Sequence, residues 1–118
     1  MVMMERHVME IKVKYENGKL YFWPDPVHVQ RGELVSWSFQ AGALANPLQW
    51  VVYFDHGSPF PGQAKQFVAE TTPVGGQHAG TTSVAPAEER GDYKYGGRVV
   101  DTAERVNLAD DDPRLIVD

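Results

Sequence analysis

Gly91-Asp92-Tyr93-Lys94-Tyr95-Gly96-Gly97, followed later by Asp112-Pro113-Arg114-Leu115-Ile116-Val117, is the stretch whose reading decides the fold. Tyr93 and Tyr95 alternate with Asp92 and Lys94, the period of two that a strand needs when one face is buried and the other is wet. Asp92 to Val100 reads as a strong strand and Arg114 to Val117 as a terminal one, so the two form the closing hairpin of a small β-sandwich. Between them, Thr102 to Asp110 is expected to make at most a single helical turn. Nothing in the two runs carries a catalytic grouping.

The same periodicity extends back towards the N-terminus. Met9, Ile11, Val13 and Tyr15 alternate with charged residues, and Asn17-Gly18 follows, a pair that accepts positive φ at both turn positions, so Leu20 to Trp23 should fold back on the first strand. Pro24 and Pro26 interrupt the pattern because proline donates no ladder hydrogen bond. Val27 and Val29 start a further strand, and Val35, Trp37 and Phe39 line one side of the next. Leu48 to Phe54 is apolar on both faces, as a central strand should be. Gln66 to Glu70 and Thr81 to Ala85 are weaker strands in a region broken by Gly57, Pro59, Pro61, Gly62, Pro73, Gly75, Gly76 and Gly80. Turn signals recur every 8 to 12 residues or so, and no segment has the length and 3.6 period of a helix. The expectation is an all-β, antiparallel Greek-key sandwich of about seven or eight strands in one domain spanning residues 1–118. Its core should comprise Met9, Ile11, Val13, Val27, Val29, Val35, Trp37, Phe39, Trp50, Val52, Phe54, Tyr93, Tyr95, Leu115 and Val117.

Composition narrows the function classes. The chain has no Cys, which removes disulfides, thiolate metal sites and cysteine nucleophiles together. Its 16 acidic and 11 basic side chains give a net charge of -5. With no basic cluster to oppose that charge, nucleic acid is not an expected partner. No apolar run approaches the ~20 residues of a membrane-spanning helix. The first residues lack the apolar core of a secretory signal, which makes a cytoplasmic location the expectation.

Two segments resemble the cupredoxin-like family over most of the chain, from about Val8 to Val117. Phe22-Trp23-Pro24-Asp25-Pro26-Val27-His28-Val29-Gln30-Arg31-Gly32-Glu33-Leu34-Val35-Ser36-Trp37 is similar to that family's proline-containing entry, Val-x-Val strand, basic-Gly-acidic turn and Val-x-Trp strand. Gly91-Asp92-Tyr93-Lys94-Tyr95 is similar to the Gly-x-Tyr-x-Tyr strand that leads into the family's copper-ligand loop. The resemblance implies a copper site built from an early His and from Cys, His and commonly Met around the last hairpin. Here the early His position falls at about Gln49 and the Cys position at about Gly97, and after His78 the sequence has no His, Met or Cys. The copper site is therefore not carried over, nor is its electron-transfer role, and no cofactor is expected.

What remains points to surface recognition. The four histidines, His7, His28, His56 and His78, form no His-x-His or His-x-x-x-His pair. His56 and His78 lie in the two long loops, and a metal site shared between them is one alternative function. Asp110-Asp111-Asp112 lacks the spacing and glycine of a calcium loop and reads as a charged turn. No catalytic motif is present, so the chain is not expected to be an enzyme. Trp23 and Ser58-Pro59-Phe60-Pro61-Gly62 combine rigid aromatic area with low ordering cost, which suits recognition of a protein or small ligand, a glycan among them. The expected function is a binding or interaction module. Its site is placed at Trp23, Asn46, Gln49, His56 and Phe60, with the loops 41–49 and 56–63 at one end of the sandwich. Edge-strand pairing into assemblies is the remaining alternative.

Overall fold

Period-two burial becomes strand almost everywhere in the computed structural model, which describes residues 8–118. His7 lies outside the described residues. The strands are β1 (Val8–Glu16), β2 (Lys19–Trp23), β3 (Val27–Val29), β4 (Leu34–Gly42), β5 (Leu48–Tyr53), β6 (Gln66–Thr71), β7 (Gln77–Thr81), β8 (Ala85–Pro86), β9 (Gly91–Lys94), β10 (Gly96–Asp101), β11 (Val106–Asp111) and β12 (Arg114–Val117), with one 3-10 turn at Pro61–Gln63. The count of twelve exceeds the expected seven or eight because the run expected as one strand over 92–100 is divided at Tyr95 into β9 and β10, and short segments such as β7, β8 and β11 also pair.

One layer runs β2-β1-β4-β7, with β8 alongside β4. The other joins the sheets β11-β10-β5-β6 and β3-β12-β9. Two pairings are parallel, β1 with β4 and β3 with β12, and the other strand pairings are antiparallel. Asn17 and Gly18 both take positive φ, 52° and 77°, in the tight β1–β2 turn.

The last quarter is one long hairpin. Gly91 faces Val117, Lys94 faces Arg114, Gly97 faces Asp111 and Asp101 faces Val106, with a bulge between Val99 and Val100. At its bend, Tyr95 N–H donates to Pro113 O at 3.0 Å, so the ladder continues from the small sheet into the larger one. The segment expected as a helical turn is instead a turn followed by β11. That strand lies at a sheet edge and buries little, so it leaves no period-two trace in the sequence.

Between the layers sits an aromatic cluster centred on Trp37. The Trp37 ring lies 5.1 to 6.1 Å from those of Phe54, Phe60, Phe67 and Tyr95, mostly edge-on, and Phe54 stacks on Tyr95 at 4.8 Å. The expected core residues are buried, except that Met9 and Tyr93 are only partly so. Leu20, Phe22, Leu48, Phe67 and Val99 belong to the core as well.

Phe60 corrects a sequence expectation. It is 2 % exposed, wedged against Trp37, Phe54 and Phe67, and so offers no surface to a partner. The prolines flanking it steer the loop inwards, and Ser58 Oγ accepts from Phe60 N–H at 3.1 Å to hold the turn. Phe60→Ala is expected to cost about 3–5 kcal/mol in urea unfolding, while Trp23→Ala should stay within about 0.5 kcal/mol. A loss below about 1 kcal/mol for Phe60→Ala would contradict its burial.

Candidate functional site

The sequence places one site in the loops 41–49 and 56–63, but the fold separates them. The first loop enters β5 and the second leaves it, so they lie at opposite ends of that strand. Asn46 and Gln49 are therefore far from His56 and Phe60.

Asn46 serves the β10–β11 turn. Its Nδ2 donates to Asp101 Oδ2 at 3.0 Å, while Asp101 Oδ1 accepts from Ala103 N–H and Glu104 N–H, each at 3.0 Å. The Asn46 amide and these backbone donors hold the Asp101 carboxyl below the usual carboxylate range. Gln49 is half-buried on the outer face of its sheet, opposite Val100 and Glu70.

His56 and His78 do not share a site. His78 is buried in β7 near the loop that precedes β5, whereas His56 is exposed in the loop that follows it. Both His78 ring nitrogens are engaged: Nδ1 lies 2.8 Å from Thr71 Oγ1 and Nε2 lies 3.0 Å from Leu44 O. A carbonyl only accepts, so the proton belongs on Nε2, leaving Nδ1 to accept from the Thr71 hydroxyl, which in turn accepts from Trp50 Nε1–H at 2.9 Å. Thr71 and His78 thus form a hydroxyl–imidazole pair, but both are buried and saturated, and the pair is a structural strut. Among the described residues, no three His, Asp or Glu side chains group as metal ligands. His56 lines a cavity of about 240 Å³ with Tyr53, Asp55 and the Lys94–Asp112 ion pair, whose N–O distance is 3.1 Å.

The copper-ligand positions implied by the family resemblance do not fit the metal. Gly97 stands in mid-ladder opposite Val52, and Gln49 stands opposite Val100. The two positions are three residues apart along paired strands, about 10 Å. A Cβ built on Gly97 would overlap the Phe22 ring, and one built on Gly96 would overlap the Tyr53 ring. Where the ligand loop would begin, β10 instead runs on to Asp101 and turns back as β11.

The outer face of the β2-β1-β4-β7 sheet is different in kind. Tyr21, 49 % exposed, and Trp23, 68 % exposed, are the only exposed aromatic side chains among the described residues. Strand registers align two rows across all four strands: Trp23, Lys12, Ser38 and Thr81 in one, and Tyr21, Lys14, Gln40 and Ala79 in the other. The rows are about 7 Å apart and each step across strands is about 4.8 Å. Small residues at Gly42 and Ala79 leave a depression of about 550 Å³ on this side, bounded by Lys14, Gln40 and Gln77. On the other side of Tyr21, a cleft of about 500 Å³ between β2 and β11 carries Asp110 and Asp111. Burial, followed by repulsion from Asp25 and the neighbouring aspartates, raises the Asp111 carboxyl above its ordinary value, opposed by a hydrogen bond from Asp112 N–H. Of the residues singled out from sequence, Trp23 alone stands on this face. Tyr21 was legible as its i+2 partner on the same strand face, but only the register shows that the lysines and amides join them.

The chain matches no family model and no curated protein. Among solved structures, the dithionite-reduced auracyanin of the photosynthetic bacterium Roseiflexus castenholzii superposes with a TM-score of 0.51 at 14 % identity, over 92 % of this chain and 96 % of that one. The fold is cupredoxin-like. Auracyanin A of Chloroflexus aurantiacus, a "blue" copper protein, gives 0.46 at 16 % identity over 95 % and 100 % of the two chains. Rusticyanin gives 0.49 at 10 % identity over 98 % and 80 %. At 14 % identity the likeness to the Roseiflexus auracyanin is one of fold.

Asp101 and Asp111 make opposite predictions. A carboxyl whose folded pKa is lowered stabilises the fold at neutral pH and loses that contribution as pH falls through the folded value. Asn46→Ala should therefore lower Tm at pH 7 by roughly 3 °C, with the gap closing in acid. A carboxyl whose folded pKa is raised costs stability once ionised, so Asp111→Asn should raise Tm at pH 7 by roughly 2 °C. That gain should vanish as pH falls below the ordinary carboxylate range. Thermal melts across pH 3–8 check both signs.

Proposed function

We propose that this chain is a non-catalytic binding module on a cupredoxin-like scaffold that holds no type 1 copper. The reading is carried by one contrast: Gly97, the position implied for the copper-ligating Cys, is packed shut by Phe22, while Tyr21 and Trp23 stand in solvent on a sheet face. Exposed aromatics on a rigid sheet bury large area at small ordering cost. A strand-borne platform also holds its side chains more firmly than a loop does.

Electron transfer through blue copper requires soft sulfur and imidazole ligands around one point. Gly97 supplies no donor atom, and Gln49 supplies only an amide. The surface is left as the working part.

Copper titration tests the first half of the reading. With either Cu(I) or Cu(II), less than stoichiometric copper should survive dialysis against a chelator, and no intense blue band should appear. Gly97→Cys should create no blue centre and should cost about 1–3 kcal/mol by crowding Phe22. One retained equivalent of copper with strong blue absorbance in the native chain would overturn this half. The second half fails if partner capture is unchanged in Tyr21→Ala/Trp23→Ala.

A further inference from the structure

The binding-module reading leaves open what lies across the outer face of β2-β1-β4-β7, and the arrangement of charge there narrows the chemistry. Lys12 and Lys14 flank the aromatic pair on one side, directly opposite Trp23 and Tyr21 in register. Asp110 and Asp111 flank Tyr21 on the other side, across the β2–β11 cleft, which Lys19 also lines. Lys14 is already paired with Glu16 at 3.2 Å. A polyanion laid along the aromatics would gain from Lys12 but meet the aspartates, and a polycation would meet the reverse. Neither sign of charge is complemented across the whole platform.

Neutral polyhydroxylated chains escape that conflict. The apolar face of a sugar ring packs on an indole or phenol face, and its hydroxyls both donate and accept. They can use Lys12 as a donor, Asp110 as an acceptor, and Gln40, Ser38 and Thr81 as both. The depression floored by Gly42 and Ala79 lies across the sheet from the aromatic pair, beyond Lys14 and Gln40, and leaves room there for a chain that continues past the aromatics. Resting on the binding-module reading, we infer that Tyr21, Trp23, Lys12 and Gln40 form a site for a neutral polysaccharide, with the two aromatics stacking on successive sugar rings.

The experiment is affinity electrophoresis of the native chain through gels containing hydroxyethyl cellulose, xylan, galactomannan or laminarin, with polygalacturonate and single-stranded poly(dT) in parallel gels. Retardation by at least one neutral polymer is expected, with little change between low and physiological salt. Trp23→Ala and Tyr21→Ala should each weaken it about tenfold, with Tm held within roughly 2 °C of the parent. Lys12→Met should weaken it less than either aromatic substitution. Binding confined to polygalacturonate or poly(dT), falling steeply with salt, would overturn the neutral-glycan assignment and leave the binding face standing if the aromatic variants abolish it. Capture of a protein partner through Tyr21 and Trp23, with no polysaccharide retained, would do the same. Neutral-polymer binding that survives both aromatic substitutions would overturn the inference and the proposed face together.

Discussion

Trp37 is the contact on which the rest of the sandwich depends. It projects from β4, the strand that pairs with β1, β7 and β8, into a space bounded by Phe54, Phe60, Phe67 and Tyr95. Four rings around one indole bind the two layers and pin the 54–65 connection beneath them. The indole N–H is the single polar group of the Trp37 side chain, and leaving it unpaired in this interior would be costly. Tyr95 OH accepts it at 3.2 Å. Burial raises the Tyr95 phenol far above its ordinary range despite that hydrogen bond.

The strands that were legible in sequence are those in which burial alternates. β1, β2 and β4 display their inner faces as alternating Ile, Val, Leu, Trp and Phe and fall where the period of two places them, and β5 falls where a run apolar on both faces places it. β7 and β11 were not legible for a physical reason. They are edge strands: β11 buries little, and the one side chain that β7 buries is the polar His78, so neither ladder leaves an apolar period of two. Phe60 shows the converse limit. A proline-flanked aromatic in a loop looks the same in sequence whether it turns in or out, and here the vacancy beside Trp37 decides it.

The candidate surface was legible only in part. An exposed Trp23 follows from strand alternation and the prolines behind it, but a platform needs neighbours from four strands. β1 and β4 contribute through a parallel pairing that joins residues some 26 positions apart, such as Lys12 and Ser38, and no local pattern announces that partnership. The same holds for Asn46. In sequence it stands before a proline as a turn residue, and its role appears only when Asp101 is brought alongside from 55 positions away. Gly96 and Gly97 read as empty positions in sequence. In three dimensions the space beside each is filled, by the Tyr53 ring and the Phe22 ring.

The bent hairpin of the last quarter belongs to both halves of its layer: β9 and β12 pair below the bend, and β10 and β11 above it. Its corner, Tyr95 with Pro113, coincides with the acceptor of the Trp37 hydrogen bond. Prising one half open therefore strains the hinge that holds the other, and it does so at the densest point of the interior. Cooperativity in this small domain is thus built into the route of the chain, so the protective amides of the two subsheets should be released to solvent together rather than in succession.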